Sequence, residues 1–520
     1  MKDYIYNLGQ LFNHVASENK SKTALKFIDG QVVSYSYLEL QSNKIANYLL
    51  ENNVKQRDII AIFNEKNTTS YATMLACLKI GAIYTNLDSN SPVERLKKMI
   101  SICNPVMFFT PEKTITILEE CNCEKSKIIE ISTLFFSETL NGLSDSFPQE
   151  NHDVTGNNPA YLMFTSGSTG FPKGITITHA NVQNFINWSK ITYDTTTDDV
   201  FTSINPMHFD NSVFDFYASL FTGASLIPVS EELAKNPRKL LDALNPIHPS
   251  IWFSVPSMLV YALKMRAFKE SDLPDLRVIS FGGEGFPKSQ LRSLWKLWGN
   301  RVRFINVYGP TECTCICSSY VVSDRDMLVD ELLPLGPIAP NFSFIILNDE
   351  GKIVDEGQMG ELCISGPNVS LGYFNNPEKT KERFVPHPNI EVYKEIIYKS
   401  GDLVRYNRTE NLLYFYGRID NQIKRMGYRI ELEEIEIALG SIRYIEESAV
   451  IYHKSENDNG KIIAFIRTAI KDENRILYDL AKLIPKYMLP NKFEFYDHLP
   501  KNLNGKIDRL KLKENWSKYE

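Results

Sequence analysis

Along most of the first 400 residues the hydrophobic pattern switches between two periods. Residues 36–52 carry apolar side chains at the spacing of one helical face, whereas 59–63 is a short unbroken apolar run suited to a buried strand. The two kinds of segment keep alternating, which predicts α/β layers with substantial parallel pairing. Residues 160–164 read as a strand, and 276–282 and 302–308 as two more, each running into glycine. Residues 120–153 are polar and weakly patterned, so a surface excursion is expected there. The window 213–229 is the most membrane-like, but Asp215, Gly223 and Pro228 interrupt it and it reads as buried core. No fixed-period repeat and no long low-complexity tract is present.

The pattern changes near residues 416–420. A strand at 412–416 ends the first part. A helix at 433–439, strands at 447–453 and 461–470, and a helix at 474–483 follow, enough for a small α+β domain. The expected division is therefore a large domain over 1–419 and a compact lid over 420–520.

Composition narrows the function classes. A chain of 520 residues exceeds one core. Hydrophobic residues at 43% and charged residues at 23% are ordinary for a soluble globular protein. A net charge of −6 argues against a nucleic-acid partner. The first residues carry acid and no apolar h-region, so no secretory signal is expected, and the eight cysteines lack framework spacing, as cytoplasmic thiols do. Cys121 with Cys123, and Cys313, Cys315 and Cys317, suggest metal ligands. No second cysteine pair or His-x-x-His completes a tetrad, however, and buried apolar thiols are the better reading.

Candidate chemistry concentrates in a few strings. After the strand at 160–164 come Thr165, Ser166, Gly167, Ser168, Thr169, Gly170 and, past a proline, Lys173. Glycine lets successive backbone N–H groups close on an anion, while the hydroxyls and the lysine add donors and charge. This is a phosphate loop, though its spacing is not that of G-x-x-x-x-G-K-[ST]. Residues 209–215 (Phe-Asp-Asn-Ser-Val-Phe-Asp) place Asp210 and Phe214 on one face if helical. A carboxylate in that apolar stretch is costly unless paired, so Asp210 either caps a helix or meets a cationic substrate group. Gly282, Gly283 and Glu284 follow one strand, and Asn306, Val307, Tyr308, Gly309, Pro310, Thr311 and Glu312 close another. Strand ends of this kind bind ligands in α/β enzymes. Tyr308 offers a flat face to a purine and Asn306 an acceptor for its amine. Thr311 can donate to a phosphate, and Glu312 is a hard oxygen ligand suited to Mg²⁺. Asp402 sits in a turn, and Asn504-Gly505 predicts a tight turn with Lys506 at its tip.

Together these strings resemble the signature motifs of the adenylate-forming superfamily, which comprises acyl- and aryl-CoA synthetases, luciferases and amino-acid adenylation domains. The likeness runs from about residue 34 to 509. It implies a large N-terminal domain of several α/β subdomains and a small, mobile α+β C-terminal domain. It also implies an ATP site drawn from the phosphate loop, Gly283, Glu284, Asn306, Tyr308 and Gly309. Asp402 would take the ribose hydroxyls, Arg418 the ribose and phosphate, and Glu312 would hold Mg²⁺. Thr311 and Lys506 would stabilise the reacting α-phosphate, Asp420 would be the hinge, and Gly427 would lie beside a thiol tunnel.

The Phe-Asp-x-Ser string resembles amino-acid adenylation domains in particular, where the aspartate holds the α-amino group. By that likeness the side-chain pocket is Asn211, Phe214, Ser254, Ser280, Gly282, Val307, Cys315 and Ile316. The implied enzyme is an AMP-forming amino-acid–carrier-protein ligase of the cytoplasm. It would make aminoacyl-AMP and pyrophosphate, then load the phosphopantetheine thiol of a separate carrier protein, with no nucleic-acid partner and no membrane insertion. The alternatives are an acyl- or aryl-CoA synthetase acting on a non-amino acid, or a catalytically silent binding module. The strings come nearest to D-alanine–carrier-protein ligases. Gly282, however, stands where those ligases have a cysteine, and Asn211 where they have an apolar residue. That difference implies an enlarged pocket and a different or larger amino acid. With no charge in the pocket, a strongly charged substrate is disfavoured. The chain stops soon after Arg509, as a free-standing enzyme would.

Overall fold

The computed structural model describes residues 5–453, 460–501 and 507–517. They form two compact units. The first comprises Met1–Asp88, Cys103–Met163 and Gly174–Ile419; the second comprises Ser89–Ile102, Phe164–Lys173 and Asp420–Glu520.

In the first unit an eight-stranded sheet runs, in spatial order, Ser318–Val321, Arg303–Tyr308, Val278–Gly282, Ile251–Ser254, Val200–Ser203, Ser225–Pro228, Thr23–Lys26 and Val32–Ser34. All pairings are parallel except at the two edges. The interior strands Ile251–Ser254 and Val278–Gly282 are buried at every position, as parallel strands covered on both faces must be. A six-stranded sheet follows the order Ile128–Glu130, Met107–Thr110, Ile59–Ile62, Ile83–Asn86, Pro159–Thr165 and Lys173–Thr178. A third sheet is antiparallel and carries Ile396–Asn407 and Leu412–Arg418.

The predicted elements at 36–52 and 59–63 are the helix Tyr35–Glu51 and the strand Ile59–Ile62. Residues 213–229 are buried throughout, as π-helical turn, loop and strand. Residues 120–153 depart from expectation. They contain the sheet-edge strand Ile128–Glu130, the helix Leu134–Asn141 and a fully buried Asn151. Asn151 Nδ2 donates to the Lys79 carbonyl at 2.8 Å, and Asn7 Nδ2 donates to the Val154 carbonyl at 2.8 Å. Polar residues that bond to distant backbone leave no periodic signal, so the pattern read as loop.

The second unit holds a hairpin, Gln422–Arg425 with Tyr428–Glu431, and the helix Leu432–Gly440. It also holds a three-stranded sheet of Ile445–His453, Lys461–Thr468 and Lys492–Phe495 with the helices Glu473–Leu480 and Arg509–Ser517. Its core packs Ile435, Leu439, Val450, Ile462, Ile476 and Leu480. Two upstream segments, 89–102 and 164–173, belong to this unit rather than to the rest of 1–419. Among the described residues no helix is long and apolar enough to cross a membrane.

One buried histidine ties the first unit together. His179 is fully buried, and its Nδ1 accepts the Leu8 N–H at 3.0 Å where the helix Leu8–Glu18 begins. Burial pushes its pKa down from 6.5 to about 3. Below pH 6.5 the unfolded chain therefore takes up a proton that the folded chain refuses, and stability falls as pH drops. The loss from this group is ~2 kcal/mol between about pH 7 and 5. Urea unfolding at the two pH values should show that His179→Gln removes about this much of the acid-induced loss; an unchanged pH dependence would rule the linkage out.

Candidate active site

Four neighbouring parallel strands end at the candidate pocket. Asp210 lies in the connection after Val200–Ser203, beyond which a short helix, Asn211–Val213, widens into the π-helical turn Phe214–Ala218. The Asp210 side chain caps no helix. Its Oδ2 accepts the Thr311 hydroxyl at 2.6 Å instead. The second acid of the motif is scaffold: Asp215 is fully buried, and Asn205 Nδ2 donates to both its oxygens.

Phe214 is fully buried against Tyr193, Phe253 and Phe201, with ring centroids 4.8, 5.0 and 5.7 Å away. Ser280 Oγ bonds the Tyr193 hydroxyl at 2.8 Å, and Ser254 Oγ accepts from Trp252 Nε1 at 2.9 Å. Both serines thus use hydroxyl capacity within the protein, and Asn211 is left half-buried at the mouth of the connection. Cys315 and Ile316 are buried. Thr314 and Cys315 take left-handed φ values of 58° and 72°, a strain of ~1–3 kcal/mol each that clusters at functional sites. Thr314 is anchored by a 2.8 Å bond from its hydroxyl to the Asn368 carbonyl. Burial and the Asp210 charge push the Cys315 thiol well up, so it stays protonated.

The expectation that Gly282 enlarges the pocket is not met. A Cβ on Gly282 would lie 2.4 Å from the Val307 carbonyl oxygen and 2.6 Å from Val307 Cγ2. The space that a larger side chain would take is filled by the neighbouring strand.

Among the residues expected to meet the nucleotide, Asp402 is almost completely buried. Its Oδ2 accepts the Tyr308 hydroxyl at 2.5 Å, and its Oδ1 accepts Arg418 Nη1. Burial, with Asp402 beside it, pushes the Tyr308 phenol well up. A carboxylate has about four lone-pair positions, so Asp402 keeps acceptor capacity for ribose hydroxyls. Asn306 Nδ2 donates to the Pro334 carbonyl at 2.8 Å, which assigns the amide orientation and leaves Oδ1 as the acceptor an adenine amine needs. Glu312 is fully buried, and its Oε1 accepts the Tyr373 hydroxyl at 2.9 Å. A desolvated carboxylate next to the Thr311 hydroxyl suits a hard divalent cation.

Two residues expected at the ATP site also serve the scaffold. Glu284 Oε1 accepts the Ser257 N–H at 2.8 Å, at the start of the helix Pro256–Lys264, whose N-cap residue Val255 offers no side-chain acceptor. Gly309 makes room for backbone, since a Cβ there would meet the Cys315 carbonyl oxygen at 2.2 Å. Gly283 has a left-handed φ of 91°, and a Cβ there would find only Val255 Cγ1, at 3.7 Å.

The residues expected to bind phosphate, 165–173, belong to the second unit. Ser166 Oγ donates to the Arg429 carbonyl at 2.8 Å, the Gly167 N–H to Glu434 Oε2 at 3.2 Å, and Lys173 Nζ to Glu431 Oε1 at 3.1 Å. Thr165 Oγ1 is buried with no hydrogen-bond partner among the described residues, while Ser168 and Thr169 are more exposed. Asp420 is the first residue of the unit's C-terminal segment and accepts the Gln422 N–H at 3.3 Å. Lys506 lies outside the described residues.

None of the eight cysteines forms a disulfide, and Cys313, Cys315 and Cys317 are buried. Among the described residues the one group with metal-ligand geometry is Asp88, His208 and Glu231, whose ligand atoms lie within 4.8 Å of one another. Sequence reasoning missed Tyr373, Glu431, Glu434 and this trio. None is close in sequence to the group it meets, so no local pattern marks them.

Residues 12–374 match the family of AMP-binding enzymes, and the chain belongs to that family. It is 30% identical over 505 residues to D-alanine–D-alanyl carrier protein ligase of Bacillus anthracis, covering 96% of this chain and 97% of the ligase. It is 32% identical over 506 residues to surfactin synthase subunit 3 of Bacillus subtilis, of whose length it spans 38%. An artificially fused adenylation–PCP di-domain from Klebsiella oxytoca superposes with a TM-score of 0.81 at 22% identity, covering 100% of this chain and 98% of that one. An o-succinylbenzoate CoA synthetase from B. subtilis gives 0.82 at 20% identity, covering 98% of each chain. These two likenesses establish the fold.

Tyr373 tests the Glu312 assignment. Tyr373→Phe removes one hydroxyl from a buried carboxylate and should lower Mg²⁺ affinity ~10-fold or more, the usual effect of losing a group that orients a metal ligand. The Mg²⁺ dependence of ATP–pyrophosphate exchange measures it. An unshifted half-saturation would exclude Tyr373 as an orienting group.

Proposed function

We propose that this enzyme activates an amino acid with ATP and passes the aminoacyl group to the phosphopantetheine thiol of a separate carrier protein. Asp210 carries the reading. It is a carboxylate that caps no helix, held by Thr311 beside an apolar pocket, and an α-ammonium group is the cation it fits. The likeness to a carrier-protein ligase over nearly its whole length supports the second half-reaction.

In the first half-reaction Asp210 holds the ammonium and so fixes the carboxylate as nucleophile. An oxygen of that carboxylate bonds to the α-phosphorus of ATP, the bond to the bridging oxygen breaks, and pyrophosphate leaves. Tyr308 and Asn306 orient the adenine, Asp402 and Arg418 the ribose, and Thr311 donates to the α-phosphate. Glu312 would hold Mg²⁺, which supplies charge neutralisation on the phosphates. By its motif Lys506 donates to the same developing charge, and Asp420 is the hinge for the C-terminal segment. The thiol sulfur then attacks the mixed anhydride, giving a thioester and AMP. An activated carbonyl needs no side-chain nucleophile.

The pocket favours a small, uncharged side chain. Phe214 is caged by aromatic rings, Val307 fills the space beside Gly282, and both serine hydroxyls are engaged. This reverses the larger substrate expected from Gly282 and brings D-alanine, alanine, glycine and serine forward.

Amino-acid-dependent ATP–pyrophosphate exchange, run over the proteinogenic set with D-alanine and β-alanine, tests the reading. A small amino acid should respond most strongly, and Asp210→Ala should lose ~10²–10³ of that rate, as removal of a charged group contacting the reacting complex does. Lys506→Ala should abolish exchange while leaving ATP binding nearly intact. Silence with every amino acid, together with CoA-dependent turnover of an aryl or fatty acid, would identify a CoA synthetase.

A further inference from the structure

We propose that Glu431 and Glu434 act as built-in stand-ins for polyphosphate, holding the phosphate loop until ATP displaces them and re-engaging it when pyrophosphate leaves. The inference rests on reading residues 165–173 as the polyphosphate site.

The loop is shaped to receive an anion. Gly170 has a left-handed φ of 75°, and a Cβ on Gly167 would lie 1.9 Å from the Phe171 carbonyl oxygen. Only glycine lets the turn close this tightly, and the Gly167 N–H is left to meet an anionic oxygen. Lys98 braces it by donating to the Gly170 carbonyl at 2.8 Å, with its ammonium 4.8 Å from the centre of the Phe171 ring.

Two carboxylates already sit on its donors. Glu434 Oε2 takes the Gly167 N–H, while its Oε1 pairs with Arg95; Glu431 pairs with Lys173. The four charged side chains are only 4–9% exposed. Charges this desolvated persist only when compensated. Withdrawing the glutamates would take an anionic partner from each of Arg95 and Lys173, and those two cations then favour whichever polyanion is present. A triphosphate offers the same kind of anionic oxygens as two carboxylates, with more charge. The buried Thr165 hydroxyl, which no described protein group meets, is a further donor that the carboxylates leave unused and a phosphate can take. The exchange is therefore competitive, and the loop's apparent affinity is reduced by the fraction of time the glutamates hold it.

The two glutamates are carried on one continuous piece of chain. Glu431 is the last residue of the hairpin strand Tyr428–Glu431, and Glu434 lies in the first turn of the helix Leu432–Gly440 that follows directly. The strand is paired to Gln422–Arg425 through a tight turn in which Met426 and Gly427 take left-handed φ values of 52° and 79°. Hairpin and helix start are thus one continuous element, on which both carboxylates leave the loop, or return to it, together.

Isothermal titration of the full chain with inorganic tripolyphosphate reads the competition directly. Glu431→Gln with Glu434→Gln should tighten tripolyphosphate binding ~10-fold. Glu431→Asp with Glu434→Asp keeps the charges for Arg95 and Lys173 but shortens their reach, and should tighten it in the same direction even if the glutamine pair folds poorly. Lys173→Ala should weaken binding in the otherwise unaltered chain. If Lys173→Ala weakens binding but neither carboxylate pair tightens it, the stand-in role is wrong and the phosphate loop remains. If Lys173→Ala changes nothing, the loop is not the polyphosphate site and both readings fall.

Discussion

The register of three adjacent parallel strands is the constraint from which the pocket follows. Ser254 pairs with Phe281, Ser280 with Ile305, Phe281 with Asn306 and Gly282 with Val307. Backbone hydrogen bonding at that register brings the ends of Ile251–Ser254, Val278–Gly282 and Arg303–Tyr308 level, with Ser280, Gly282 and Val307 on one face of the sheet and Ser254, Phe281 and Asn306 on the other. A one-residue slip would turn every one of these side chains to the opposite face. The tight approach of Gly282 to Val307 makes such a slip costly, because only a residue without Cβ fits there. The strand that makes the sheet thus also sets the width of the pocket.

Charge is the second constraint. Glu312 and Asp402 are buried and Asp210 is half-buried, and each is held by a hydroxyl donor: Tyr373, Tyr308 and Thr311 respectively. A neutral hydroxyl steadies a carboxylate without neutralising it. On the proposed reading the three acids serve a hard cation, ribose hydroxyls and an ammonium in turn. Asp402 also meets a cation, Arg418. The place of Arg418 on the strand paired with that of Asp402 keeps a positive charge where the resemblance puts phosphate and ribose.

Much of this was legible in the sequence because motif residues are contiguous. The turn after Arg303–Tyr308 brings Asn306, Tyr308, Thr311 and Glu312 together by chain connectivity alone, and the parallel α/β layers follow from the alternating periods. What was not legible depends on partners far along the chain. The bond from the Ser257 N–H to Glu284, at a helix start without a side-chain cap, joins residues 27 positions apart. Gly282 looked like missing volume, yet Val307 supplies that volume. Residues 120–153 looked like loop, because Asn151 is satisfied by backbone groups of other elements rather than marked by its own periodicity. A single sequence records which residues are present but not which of them meet.

The loop and its two glutamates show why that distinction bears on mechanism. Read from sequence, residues 165–173 are expected to cradle an anion, whereas in the folded chain the Gly167 N–H and Lys173 already have anionic partners. Without the glutamates, Arg95 and Lys173 would be buried with less compensation, and the cost would fall on the folded state before any ligand arrived. Placing carboxylates there removes that cost and lowers affinity in the same stroke. An enzyme that must release pyrophosphate before its second half-reaction benefits. The same glutamates that weaken ATP binding also weaken retention of pyrophosphate, and their return to the loop opposes the reverse reaction.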